Sequence, residues 1–375
     1  MKEPEKKSGQ IYMSELFDKM KKASETEFDG ILAVSETNRR YASKFPSSDG
    51  FVFMNKNACV FITDFRYFGA ANEAQKKGLI PYDTQIILQD KDMWNTIKRI
   101  SGGGKRILYE EDYLTVNGFE KIREKLSKYD LVPGASALFE KMRAQKDENE
   151  IKNIKKAQKI TDKAFEYIVN FISDNIGKDE LTEERVALEI EYFMRKNGAD
   201  GIAFDTIAVS GKKTAMPHGA PDGTKIKKGF LTLDFGAKYG GYCSDMTRTL
   251  CIGKPTEKMK DVYDTVLCAQ KAALEYISAG KSGKEIDGIA RNYIAKRGYD
   301  GTFGHALGHS LGLEIHEKPT FSPACKDIIP ENAVLSVEPG VYLSGKFGVR
   351  IEDIVRVTAK GCENLTASGK ELLIL

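Results

Sequence analysis

Along the first 140 residues, short apolar runs alternate with stretches in which apolar positions recur every third or fourth residue. The runs Gly30–Ser35, Phe51–Met54, Ala58–Thr63, Thr84–Gln89 and Arg106–Glu110 predict strands. Between them, Phe65–Lys77, Met93–Ile100 and Thr115–Lys128 predict amphipathic helices. Such alternation of the two periods is the mark of a small α/β domain.

Arg143-Ala-Gln-Lys-Asp147 reads as a linker, which gives expected domains of residues 1–142 and 143–375. Asp147-x-x-Glu150 has the form of a capping box, and Ile151, Ile154, Ala157, Ile160, Ala164, Ile168 and Ile172 follow it at helical spacing. A second helix, Thr182–Lys196, precedes two strands around Phe230–Phe235 and Tyr242–Leu250. The order then recurs. Thr256 opens a helix ending by Gly280, Ser282-x-x-Glu285 caps another ending by Gly298, and strands follow around Val334–Glu338 and Val349–Val357. Helix, helix, hairpin thus occurs twice, which predicts an α+β domain of two similar halves facing one site.

The chemistry concentrates in the hairpins. With a two-residue tip at Tyr239-Gly240, Lys238 faces Gly241 and Asp234 faces Asp245. Directly opposed side chains share a face of the sheet with β-carbons about 5 Å apart. Two carboxylates there repel unless a cation sits between them. Glu338 and Glu352 lie equally far from Gly345, so a short loop centred there opposes them in the same way. Both stand in apolar strand contexts, where an unpaired carboxylate is costly. The aspartate pair alone fits a solvated edge hairpin equally well; a second pair in the other half does not.

Only four histidines are present, and all lie near these carboxylates. His305, His309 and His316 fall in Gly304-His-Ala-Leu-Gly-His-Ser-Leu-Gly-Leu-Glu-Ile-His-Glu317, and His218 sits just upstream of the aspartate hairpin. That clustering points to a site. It is not a zincin motif, because no glutamate follows His305 and Gly304, Gly308 and Gly312 disfavour a helix. Carboxylates with imidazole and no thiolate suit Mn2+ or Co2+, with Zn2+ as an alternative.

Composition narrows the field. Lys and Arg number 57 against 54 Asp and Glu, a net charge of +3, which argues against a nucleic-acid partner. Six scattered cysteines without a C-x-x-C pair read as free thiols in a reducing compartment. Met1–Lys22 lacks the apolar core of a signal peptide, and no run approaches the ~18 apolar residues of a membrane span. A cytoplasmic protein with no membrane partner is the expectation. Gly102-Gly103-Gly104-Lys105 lacks the spacing and the hydroxyl of a phosphate loop and reads as a surface turn.

Leu233-Asp-Phe-Gly, Ser244-Asp-Met-Thr-Arg-Thr249, Gly304-His-Ala-Leu-Gly-His309, Val337-Glu-Pro-Gly340 and Gly348-Val-Arg-Ile-Glu-Asp353 together resemble the Xaa-Pro aminopeptidase and Xaa-Pro dipeptidase (prolidase) family, relatives of methionine aminopeptidase. The resemblance covers nearly the whole chain. It implies a creatinase-like N-terminal α/β domain and a "pita-bread" catalytic domain of two pseudo-equivalent halves. It also implies two divalent ions, Mn2+ first among them. Asp234 would chelate one ion, Asp245 and Glu352 would bridge both, and His309 and Glu338 would complete the other. Glu338 would act as general base, His218 and His316 would bind substrate and its tetrahedral intermediate, and His305 and Arg350 would line the pocket. The implied partners are proline-containing peptides and a second copy in a homodimer. Trp94, the only tryptophan, lies in the domain that in this family often reaches a neighbour's active site, although an ordinary packed tryptophan reads equally well. The alternatives are a dipeptide-only prolidase and a catalytically silent binding protein of the same fold, which would have lost ligands that are all present here.

Overall fold

The alternating pattern of the amino-terminal part becomes one mixed six-stranded sheet in the computed structural model, which describes residues 12–375. Across the sheet the strands run Thr84–Leu88, Cys59–Thr63, Phe51–Asn55, Gly30–Ala33, Arg106–Tyr109 and Asp130–Pro133. All five expected strands are there, and the outermost, Asp130–Pro133, was not read from sequence. Nor were the helices Tyr12–Ala23, Glu36–Ser43 and Ala135–Ala144. Glu36–Ser43 has two turns and no apolar stripe, and it is held from its N-terminus instead. Ser35 caps it through Asn38 N, and the buried Glu110 carboxylate accepts from Ser35 N (2.8 Å) and Asn38 Nδ2 (2.6 Å). An anion there complements the helix dipole. Trp94 packs at 5.7 Å from Phe51 on the core of this sheet, and Gly102–Lys105 forms a turn after the helix Met93–Ser101.

The chain divides into two compact units between Arg143 and Ala144. In the second unit, Glu148–Asn175 is a helix of 28 residues with the full capping box of Asp147 and Glu150. With Glu183–Lys196 it packs on the hairpin of Gly229–Phe235 and Met246–Ile252, around Ile168, Ile172, Ile190, Leu231 and Leu233. The second half repeats the plan. Glu257–Tyr276, capped by Thr256, and Gly283–Ile294, capped by the Ser282–Glu285 box, cover the strands Val334–Val337 and Asp353–Thr358 with a separate core that includes Val266, Ile286, Leu335 and Val355. Two helix pairs therefore each cover one hairpin.

Polar bonds lock the two hairpins together. Arg248, from the first, donates to Asp353 Oδ1 of the second at 2.8 Å and to the carbonyls of Ser368 (2.7 Å) and Gly369 (2.9 Å). Both side chains are almost wholly buried, and Lys370 adds a second cation at 2.6 Å from Asp353. Breaking a buried pair by removing one partner strands a charge, which costs about 3–5 kcal/mol. Arg248→Met is expected to lower unfolding stability by about that amount, read from the denaturant midpoint; an unmoved midpoint would show that the pair contributes nothing.

Candidate metal centre

Asp245, Glu338 and Glu352 sit where a strand is interrupted, and Asp234 and His309 lie within strands. In the aspartate hairpin the tip is Gly240-Gly241, both at positive φ (58° and 84°), with Tyr239 opposite Tyr242 and Lys238 opposite Cys243. A tight hairpin turn of this kind needs positive φ at both central residues, which two glycines supply without strain. The tip is therefore one residue later than expected, and every pairing slides by two. Asp234 faces Thr247, not Asp245. A slide of two keeps each side chain on its face, so Asp245 stays on the side of Asp234 as a diagonal neighbour, in the gap between the strands Tyr242–Cys243 and Met246–Ile252.

The glutamate hairpin keeps the expected register. Leu343 pairs with Phe347, Gly340 with Arg350 and Val337 with Asp353 across a loop centred on Gly345. Glu338 and Glu352 fall opposite one another in the break between these strand pieces. Pro339 lacks the N–H that would carry the ladder through. His309 lies on a strand, Gly308–Ser310, paired on one side with Glu317–Phe321 and on the other with Val334–Val337.

These breaks open on one cavity of about 520 Å3, lined by Asp234, Asp245, His309, Glu338, Glu352, His218, His305, His316 and Arg350. All nine residues singled out from sequence thus meet in one place. His309 Nε2 lies 3.3 Å from Glu338 Oε1 and 3.6 Å from Asp245 Oδ2. Asp245, His309 and Glu352 each offer a donor atom within 4.8 Å of the others. Around them, Thr247 Oγ1 donates to Glu352 Oε2 (2.6 Å), and Ser336 Oγ donates to Glu338 Oε1 (3.0 Å) while accepting from His309 N. Arg350 donates to Asp234 Oδ2 (2.6 Å), Thr247 Oγ1 (3.1 Å), Pro217 O (3.1 Å) and Tyr342 Oη (2.9 Å).

The electrostatics call for a cation. Burial, then repulsion from Glu352, Asp234 and Glu338, holds Asp245 well above the usual carboxylate range. Glu352 is raised in the same way by burial and by Glu338 and Asp234. Burial pushes Glu338 up to about 7 against the opposing pull of Arg350. Burial also lowers His309 and His316, and it takes His305 down to about 4 with Arg350 adding to it, so these imidazoles are neutral at pH 7. Asp234 Oδ1 is buried with no hydrogen-bond partner among the described residues. An orphaned carboxylate oxygen, neighbours that cannot all ionise together and neutral imidazoles form a donor set that fits divalent metal ions.

Sequence reasoning missed Tyr342, which bridges Arg350 and His305 Nε2 (2.9 Å). Strand alternation could have found it, because Tyr342 shares a face with Gly340, the partner of Arg350. It also missed the wall residues Phe204, Asp205, Ile207 and Ile315. Ile207 faces Asp234 from the adjacent strand, but no local pattern marks that edge of the sheet as a pocket wall.

A centre of this kind belongs to the hydrolases that work with divalent cations. The chain is a member of metallopeptidase family M24, which it matches over residues 152–359, and residues 15–145 match the Creatinase/Prolidase N-terminal domain. The two units are accordingly a creatinase-type domain and a pita-bread catalytic domain, and the protein is a metallopeptidase. The chain is 36% identical to the Xaa-Pro dipeptidase of Pyrococcus horikoshii, over 95% of this chain and 99% of that protein. A solved Xaa-Pro dipeptidase from Bacillus anthracis is 39% identical with a TM-score of 0.89, covering 96% of this chain and 99% of the other. The X-Pro aminopeptidase from Thermotoga maritima is 35% identical with a TM-score of 0.85, covering 96% and 100%.

Proposed function

We propose that the enzyme hydrolyses the N-terminal Xaa-Pro bond of peptides, as an aminopeptidase not confined to dipeptides. The observation that carries the reading is the convergence of both carboxylate pairs and all four histidines on one cavity. Asp234, Asp245, His309, Glu338 and Glu352 would hold two divalent ions, Mn2+ first, with Co2+ or Zn2+ as alternatives. Ions held there would supply Lewis acidity, polarising the scissile carbonyl and making water a stronger acid. Glu338 takes the proton of the attacking water and delivers it to the departing proline nitrogen. His218 and His316 donate to the carbonyl oxygen as its negative charge grows, the kind of stabilisation that usually contributes most to such catalysis. Arg350 and Thr247 hold Asp234 and Glu352 in place. His305, bonded to Tyr342, lines the wall beside the substrate.

Proline in second position removes the amide N–H and fixes φ, so a peptidase that depends on either cannot act and a dedicated pocket is needed. That part of the reading rests on the relatives, which are named both dipeptidase and aminopeptidase. One structural fact favours the open-ended activity. A dipeptide-only enzyme must pair the substrate's free carboxylate, and Arg350 is the only Lys or Arg lining the cavity among the described residues. Its guanidinium is already occupied by Asp234, Thr247, Pro217 and Tyr342. The expected result is comparable kcat/KM on Xaa-Pro-Yaa and longer peptides, at or above that on Xaa-Pro. Cleavage of the dipeptide alone would make the enzyme a prolidase, and equal cleavage of Xaa-Ala peptides would overturn proline specificity. A cytoplasmic homodimer is the setting this reading implies. Cys59, Cys251, Cys268, Cys325 and Cys362 are free thiols, and no described helix is long and apolar enough to cross a membrane.

A further inference from the structure

The segment that carries two of the four histidines is held by a side chain from outside it. Lys146 lies just ahead of the long helix, its backbone N–H bonded to Asn332 O (3.1 Å) and its neighbour Asp147 serving as the helix cap. Its ammonium, 1% exposed, donates to Ser310 Oγ at 2.9 Å and to Glu317 Oε2 at 3.1 Å. Ser310 and Glu317 face each other across two strands, and each is the chain neighbour of a site histidine, His309 and His316.

Backbone pairing does not keep these histidines in frame. The register breaks here, because His309 faces Thr320 while the very next residue, Ser310, faces Glu317. The turn between the strands is built around the Glu317 carboxylate instead. Oε1 accepts from Glu314 N (3.3 Å), and Gly312 passes so close that a Cβ there would lie 2.8 Å from Oε2. Gly312 O in turn accepts from Cys243 N (2.7 Å) in the aspartate hairpin. The His309 and His316 rings then meet edge to face, 4.5 Å between centroids.

We propose that Lys146 is a positioning residue of the catalytic centre. Its ammonium neutralises the buried Glu317 and clamps both ends of the His309–Glu317 segment, which sets the spacing and orientation of the two imidazoles. This deepens the peptidase reading and rests on its assignment of His309 and His316. Removing the ammonium breaks a buried ion pair with Glu317 and the bond to Ser310 Oγ. The turn wrapped around the Glu317 carboxylate then reorganises. A shift of about 1 Å in a catalytic group can cost roughly 10²-fold in rate.

The test uses the metal-loaded full chain with Lys146→Met, Lys146→Arg and the double variant Lys146→Met with Glu317→Leu. The double variant removes both charges, a change that is often neutral for stability, so it separates folding from positioning. Four histidines give four imidazole Hε1 resonances, all from cavity residues, readable with zinc as a diamagnetic ion. In Lys146→Met, kcat on an Xaa-Pro peptide should fall by roughly 10²-fold with a smaller change in KM, and the His309 and His316 resonances should move. Lys146→Arg should recover part of the rate. The double variant should melt near the wild type yet keep the low kcat and the displaced resonances. Wild-type kcat and unmoved resonances in a folded double variant would overturn the proposal and leave the pair as structural only. If the wild type cleaves no Xaa-Pro peptide, the peptidase reading fails, while the imidazole spectrum still decides whether the clamp exists.

Discussion

Chelation of divalent ions is expected to reduce peptide hydrolysis to background, and Mn2+ or Co2+ to restore it. Asp234, Asp245, Glu338 and Glu352 line one cavity, and burial with mutual repulsion drives Asp245 and Glu352 well above the usual carboxylate range. Without a cation, the stable state of such a cluster is partly protonated. It then lacks the negative charge that the proposed chemistry needs and has nothing to make water acidic at neutral pH. Asp245 sits at the centre of this, within donor distance of both His309 and Glu352. Asp245→Ala is expected to lose at least one equivalent of metal while its circular-dichroism spectrum stays that of the folded protein. Elemental analysis showing unchanged stoichiometry would remove Asp245 from the ligand set, and full activity in protein shown to be metal-free would end the metal mechanism altogether.

The four histidines should divide by role. His309→Ala is expected to lower metal content. His218→Ala and His316→Ala should retain metal and lose turnover by roughly 10²-fold or more. The division follows from distance. His309 Nε2 is 3.3 and 3.6 Å from carboxylate oxygens of Glu338 and Asp245, and His309 belongs to the group whose donors converge within 4.8 Å. His218 and His316 line the same cavity but are not part of that group. Burial and the neighbouring imidazoles keep His316 neutral near pH 7, so it retains one N–H to donate to a developing oxyanion. Equal loss of metal from all three variants would show that ligand and substrate histidines had been wrongly separated.

How well each feature could be read depended on how local its cause is. The caps at Asp147, Thr256 and Ser282 stand where expected, because a cap is decided by three or four consecutive residues. The glutamate register was legible because its loop is centred on one glycine. The aspartate register came out two residues away, since Lys238-Tyr-Gly-Gly241 offers two successive tips and the preference for positive φ at both positions selects Gly240-Gly241. The face was still right, because a slide of two preserves it. Glu36–Ser43 could not be read from its own residues, because what holds its start is a carboxylate 72 residues from Asn38.

By itself, then, the sequence determined the two-part plan, the repeated helix-helix-hairpin order and nine of the side chains that line the cavity. The plan, the repeat, the carboxylate pairs and the histidine cluster follow from periodicity, spacing and residue type, and Arg350 follows from the family resemblance. Only the tertiary structure decided what those side chains do to one another. It set Arg350 on Asp234 across 116 residues, Thr247 on Glu352 across 105 and Lys146 on Glu317 across 171. It also set the burial that keeps His305 and His309 neutral and holds Asp245 well above the usual carboxylate range. Hydrogen bonds act over about 3 Å, and a charge's energy depends on the water around it. Neither quantity exists until the chain has folded and brought distant residues into one dry cavity.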